Sequence, residues 1–471
     1  MMTFEEFSRQ FTEAGQGHIF RYWNELSPES RQRLADQLAS IDLILIGRFR
    51  SMLQAHKEEK QPPGHMEPPN VIRLPESPED MKAASEAKAA GEQALRNGEV
   101  GVFLVAGGQG TRLGFDGPKG CFPCTPVKRK SLFQLHAEKI LAASNTFQNA
   151  IPWYIMTSEM NDKTTRQFFR QNGFFGLDQA DVFFIKQKML PALDQNGKLI
   201  LDARDHLAMS PNGHGGAFLA MQDGGVLDDC RKRGIKALSY FQVDNVLIHI
   251  IDPVFIGFHL QANGQMSSKM TLKRDAHEKV GHFGLVDGRL KVVEYSDLSE
   301  AEMTATNPDG SLKYGAGSIG IHLIDPSFVE ELLEGGLKLP YHVAHKKIPC
   351  LDVSGNLVSP NTPNGYKFET FIFDAIYNAE RSIILEVKRE EDFSPIKNKT
   401  GDDSPATARQ ALNNYYGSWL EAKGLPVPRN AAGDVTTDIE ISPLFARNRE
   451  DFLQTDISIK NVNGPLYLGP E

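Results

Sequence analysis

From residue 101 to about 390 the chain alternates short apolar runs with segments of helical spacing: GVFLVA, IPWYIMT, DVFFIKQ and ALSYFQV are separated by SLFQLHAEKILAAS, NDKTTRQFFRQNG and GGAFLAMQDGG. Continuous apolar runs suit strands covered on both faces, and a parallel connection needs a crossover segment that a helix can supply. The alternation therefore predicts an α/β fold with a mixed, mostly parallel sheet and helices on both faces. KMTLKRD and FGLVDGRLKVVEYS interrupt the pattern as antiparallel strands, the second pair turning at Asp287-Gly288.

The flanking segments differ. The first ~55 residues carry helical spacing with few glycines or prolines, and residues 58–80 form a proline-rich stretch that holds neither a helix nor a central strand. Ser77 is placed to cap a helix that leaves near Gly98. The expected organisation is an N-terminal helical region over 1–98, a catalytic domain over 99–386 and a small C-terminal domain over 387–471. A chain of 471 residues has room for two or three domains. Its net charge of -9 argues against a nucleic-acid partner. No apolar run nears the roughly 20 residues that cross a bilayer, so no membrane partner is expected and the expected address is the cytoplasm. Four cysteines are too few for a disulfide scaffold, and the Cys121/Cys124 pair reads as loop packing rather than a zinc or redox site.

The first apolar run ends in AGGQGTRLGFDGPKG. A glycine-rich loop after a strand brings backbone amides close to phosphate oxygens. The spacing is wrong for a dinucleotide fingerprint, whose third glycine position holds Leu113, and for a Walker A loop, because Lys119 is followed by Gly120 and Cys121. Gly107, Gly108 and Gly110 are followed instead by Arg112 and Lys119, two cations suited to neutralising charge in phosphoryl or nucleotidyl transfer. Asp244 follows the run ALSYFQV, at the carboxyl end of a strand, where open sheets place ligand groups. A carboxylate there suits Mg²⁺ (or Mn²⁺) shared with phosphate oxygens.

With QKMLPAL, SPNGHGGAF, FQVDNVLIHIIDPVFIGF, KVVEYSDL, HVAHKKIP, PNGYKFETFIFDA, FSPIKN and SPATARQAL in order along residues 100–412, the loop resembles the signature of UTP-dependent sugar 1-phosphate uridylyltransferases, and is closest to the UDP-N-acetylglucosamine pyrophosphorylases. The resemblance implies a Rossmann-like nucleotidyltransferase domain acting on UTP and a sugar 1-phosphate. It implies catalytic roles for Arg112, Lys119 and Lys397, nucleotide contacts at Gly107, Gly108, Gly110, Gln187, Gly213 and Asp244, with Asp244 also the metal ligand, and sugar contacts at Gly281, Glu294 and Tyr295. Two motifs depart from the family. His214 stands in GHGG where the relatives carry GNGG, and Ser318 and Ile321 replace the asparagines of GNIxNH. N-acetylglucosamine 1-phosphate is the leading substrate, and His214 and Ser318 favour the alternative of glucose 1-phosphate or broad sugar use. A non-catalytic nucleotide-sugar binder is the alternative from another class.

Overall fold

Ten strands pair into one sheet in the computed structural model, which describes residues 4–55 and 65–470. In chain order they are β1 (Met66–Glu67), β2 (Val100–Val105), β3 (Trp153–Thr157), β4 (Val182–Lys186), β5 (Ala237–Gln242), β6 (Met266–Leu272), β7 (His282–Val286), β8 (Arg289–Val293), β9 (Ala316–Ile324) and β10 (Ile384–Glu386). The block β5-β2-β3-β4 is parallel throughout. β2 and β3 are almost wholly buried, as their unbroken apolar sequences require. β9 joins β5 antiparallel and carries β6 and β7 beside it. β7 and β8 form the expected hairpin, with Asp287 at φ 52° and Gly288 at φ 77°, the left-handed pair that a tight two-residue hairpin turn demands.

Helices fill the parallel crossovers: Leu132–Phe147 between β2 and β3, Asp162–Gln171 between β3 and β4, and Ala217–Asp223 with Val226–Arg233 before β5. Ser77 caps its helix with a full capping box through Asp80. At Ser131 the cap is one-sided. The Ser131 hydroxyl accepts from the Gln134 amide, but the Gln134 side chain donates to Glu138 at 3.1 Å instead of reaching back.

The chain divides into two compact units, both discontinuous in sequence. One comprises the described residues of Met1–Pro62 with Gln187–Gly216 and Leu339–Asp374. Its helices Phe4–Glu13, Pro28–Ala39 and Leu43–Ala55 bury Phe7, Phe11, Leu34, Phe49 and Leu53 against Leu193, Leu207 and Phe368. The other unit comprises the described residues of Pro63–Lys186 with Ala217–Lys338 and Ala375–Glu471, and holds the ten-stranded sheet. The helix Pro78–Arg96 belongs to this unit and crosses Pro253–Gln261 at two glycines. The helix Pro405–Ala422 adds Leu412, Tyr416 and Trp419 to the core cluster that contains Val102, Leu104 and Phe241. The expected boundaries at 98 and 386 are contiguous cuts, whereas compactness follows shared cores. The segment 58–64 of the expected linker lies outside the described residues. Among the described residues no helix is long and apolar enough to cross a membrane.

Candidate active site

β2 ends at Val105 and the chain turns into the glycine-rich loop beside the end of β5. The loop is folded onto itself: the Gly110 amide donates to the Gly117 carbonyl at 2.9 Å and the Lys119 amide to the Gly108 carbonyl at 3.1 Å. Its carbonyls are held from outside. Asn161 Nδ2 donates to the Ala106 carbonyl at 2.9 Å and to that of Gly108 at 3.3 Å, and Ser158 Oγ donates to the Gly107 carbonyl at 2.9 Å. Fixing the carbonyls fixes the peptide planes, so the direction of the amides is set before any ligand arrives. Nothing in TSEMND marks Ser158 and Asn161 out from an ordinary helix start.

Lys119 opens a short 3₁₀ turn, and its Nζ donates to Asp244 Oδ2 at 2.7 Å. Both side chains are mostly buried, 17% and 11% exposed, so the pair is shielded more than a surface ion pair. Asp244 lies just past β5, where the Val243 carbonyl accepts from buried His136 Nε2 at 3.0 Å. Burial, then the neighbouring charge of Lys139, pushes the His136 pKa down to about 3, so the ring is neutral and donates from Nε2. Arg112 is exposed on the turn Thr111–Leu113.

The Lys397 segment lies alongside Asp244. The Ile396 amide donates to the Asp244 carbonyl at 3.0 Å, and Asn245 and Pro395 form an antiparallel bridge. Asp392 anchors this segment: it accepts from the His249 amide at 2.9 Å and from Lys269 Nζ at 2.9 Å, and its carbonyl accepts from Asn245 Nδ2 at 2.7 Å. Burial opposes charge on Asp392, yet Lys269 and then His249 outweigh it and hold its pKa far below the usual carboxylate range. Lys397 itself is 46% exposed, with Nζ 3.5 Å from Asp403. The structure adds a second lysine. Lys399 lies across the glycine-rich loop, its Nζ 3.4 Å from where a side chain on Gly114 would begin.

Gly281, Glu294 and Ser318 meet in the same unit. The Ser318 amide donates to the Gly281 carbonyl at 2.7 Å, and Glu294 Oε1 lies 3.6 Å from the position a Gly281 Cβ would take. Tyr295 stands at the surface, 36% exposed. Gln187, Gly213 and His214 belong to the other unit. Gln187 Nε2 donates to the Gly213 carbonyl at 2.6 Å and to Asn212 Oδ1 at 3.0 Å. Gly213 has φ +81° and faces Thr370 backbone so closely that a Cβ would sit 2.3 Å from its carbonyl oxygen, which restricts the position to glycine. His214 Nδ1 accepts from the Ile372 amide at 3.0 Å, and the ring stacks on Phe371. Burial, then the charge of His342, pushes its pKa down to about 4.

No three His, Cys, Asp or Glu side chains gather as metal ligands among the described residues. One strand-end carboxylate at Asp244 is the donor set that Mg²⁺ uses when phosphate oxygens and water complete its shell. These residues fit a metal that arrives with a nucleotide, and do not form a permanent cage.

A folded-back amide loop beside a buried Lys–Asp pair at the ends of parallel strands defines an α/β enzyme built to hold and transfer a nucleotidyl group. The family described as UTP–glucose-1-phosphate uridylyltransferase matches residues 46–403. The chain is 38% identical to the human UDP-N-acetylhexosamine pyrophosphorylase-like protein 1, over 97% of this chain and 95% of the relative. It is 36% identical to the Saccharomyces cerevisiae UDP-N-acetylglucosamine pyrophosphorylase, over 91% and 94% respectively. The crystal structure of the Trypanosoma brucei uridine diphosphate N-acetylglucosamine pyrophosphorylase in complex with an inhibitor superposes with a TM-score of 0.81 at 27% identity, covering 98% of this chain and 97% of that one. The chain belongs to the UTP–glucose-1-phosphate uridylyltransferase family.

Proposed function

We propose that this uridylyltransferase joins UTP to N-acetylglucosamine 1-phosphate, forming the UDP-sugar and pyrophosphate. The Lys119–Asp244 pair at 2.7 Å carries the reading, because it sets a cation beside a carboxylate at the end of the strand next to the amide loop. In the reaction, a phosphate oxygen of the sugar 1-phosphate attacks the α-phosphorus of UTP, and the bond from that phosphorus to the α–β bridging oxygen breaks. The loop amides of Gly107 and Gly108 cradle the phosphates, while the Gly110 amide is spent on the Gly117 carbonyl and holds the fold of the loop, and Arg112 and Lys119 neutralise the charge that moves onto the leaving pyrophosphate. Lys397 supplies a further cation from the segment held against Asp244. Mg²⁺ (or Mn²⁺) on Asp244 supplies charge neutralisation at the phosphate oxygens when bound.

Gln187 and the Gly213 backbone present donors and acceptors suited to the uracil edge. Gly281, Glu294, Tyr295 and Ser318 are the groups of the sheet unit that take the sugar. The names of the human and yeast relatives support an N-acetylated sugar. Glucose 1-phosphate or broad sugar use is the second reading, favoured by His214 and Ser318, which stand where the family motifs carry asparagines. Cytoplasmic residence accords with the four cysteines, all free thiols. The test is pyrophosphate release from UTP with each sugar phosphate, using Lys119→Ala as the inactive control. Release that Lys119→Ala does not reduce contradicts the reading.

A further inference from the structure

Gln242 is the last residue of β5, two positions before Asp244, and pairs with Val105 where β2 gives way to the glycine-rich loop. Its side chain is half-buried, and among the described residues it makes no hydrogen bond to the protein. A glutamine amide has two donor hydrogens and two acceptor lone pairs, so a half-buried one without protein partners is suited to a polar ligand.

Opposite it, β9 is irregular. Ser268 of β6 pairs with His322 of β9, but Met270 pairs with Ser318, so Ile319, Gly320 and Ile321 face Lys269 alone. Gly320 sits in this bulge at φ +70°, and the space where its Cβ would stand lies 3.7 Å from Gln242 Nε2. Bulges beside active sites re-aim the chain, and here the bulge brings a residue without a side chain up to an amide without a partner. Ser318, two residues earlier, hydrogen-bonds the Gly281 backbone, whose neighbour is Glu294. The Gln242 amide, beside Gly320, is therefore two residues along β9 from the groups assigned above to the sugar.

We propose that Gln242 is a specificity-determining residue that binds the acetamido group of an N-acetylhexosamine 1-phosphate. An acetamido group offers one N–H and one carbonyl, and a primary amide complements both at once. A glucose hydroxyl meets the same amide with a single atom and leaves part of it unpaired. The missing side chain at Gly320 gives the acetamido group its room. This inference rests on the uridylyltransferase reading and adds to it the residue that chooses the sugar.

The experiment compares kcat/KM for N-acetylglucosamine 1-phosphate and for glucose 1-phosphate, with saturating UTP and Mg²⁺, in the wild type, Gln242→Met and Gly320→Asn. Methionine keeps the bulk and removes the amide, while asparagine tolerates the left-handed backbone of position 320 and fills the space. The expected result is a fall of about tenfold or more in the preference for the acetylated sugar in both variants, with KM for UTP and the melting temperature unchanged. A ratio unchanged in Gln242→Met, or an equal loss on both sugars, overturns the inference and leaves the uridylyltransferase reading standing. No pyrophosphate from the wild type with either sugar overturns both.

Discussion

Lys119 and Asp244 neutralise each other before a nucleotide binds, so removing either member changes both the charge and the shape of the site. Lys119→Ala is expected to lower kcat by a hundredfold or more, about 3 kcal/mol of transition-state stabilisation, with the melting temperature nearly unchanged. A steady-state pyrophosphate assay beside a thermal melt separates the two effects. Lys399 makes a weaker prediction of its own. Lying exposed on the loop near Gly114, it contributes long-range attraction for the triphosphate, so Lys399→Ala should raise KM for UTP several-fold at low salt and much less at high salt. A KM insensitive to both changes removes Lys399 from the site. The thiols of Cys121 and Cys124 are pushed up to about 12, in each case first by burial. Both should therefore resist a thiol reagent at neutral pH in the native protein and react once it is unfolded.

At the scale of elements, the central feature is the segment 392–397 fastened beside the Asp244 turn. Lys269 is fully buried, and burial works against its charge, but Asp252 and Asp392 outweigh that and raise its pKa. Removing one carboxylate from such a site leaves a buried cation half-compensated. Asp392→Ala is expected to cost about 3–5 kcal/mol by chemical denaturation. Between helices, a Cβ on Gly257 would lie 1.7 Å from the Ala87 carbonyl oxygen, so Gly257→Val must force Pro78–Arg96 away from Pro253–Gln261. The strand, loop and cation sequence around Arg112 and Lys119 was legible in the chain because its chemistry is local, and so was the turn at Asp287-Gly288. The clamps on it were not. Asn161 and Asp392 act through pairings across 55 and 147 residues of sequence, to Ala106 and Asn245, and no spacing rule reports such distances.

Over the whole molecule, what sequence order conceals is which segments share a core. The Pro78–Arg96 helix reads as part of the N-terminal helices but packs with the sheet unit, because its small residues Ala87 and Gly91 match the helix Pro253–Gln261. Stability of the whole chain should also depend on pH in a direction set by its buried histidines. Burial, the first cause in each, pushes His136 down to about 3 and His259 and His282 to about 4. Unfolded histidines take up protons near pH 6.5, so the unfolded state binds more protons between about 6.5 and 4. Stability is then full above about pH 6.5 and falls on acidification, by at most about 1.4 kcal/mol per pH unit for each such group. Denaturation midpoints at pH 7.5, 6.5 and 5.5 read this slope, and a flat profile contradicts it.

The most direct measurement is pyrophosphate release from UTP and Mg²⁺ with N-acetylglucosamine 1-phosphate and with glucose 1-phosphate, for the wild type and Lys119→Ala. Release by the wild type that favours the acetylated sugar and falls at least a hundredfold in the variant is the predicted result. No release with either sugar, or release that survives the loss of Lys119, contradicts the mechanism built on the Lys119–Asp244 pair.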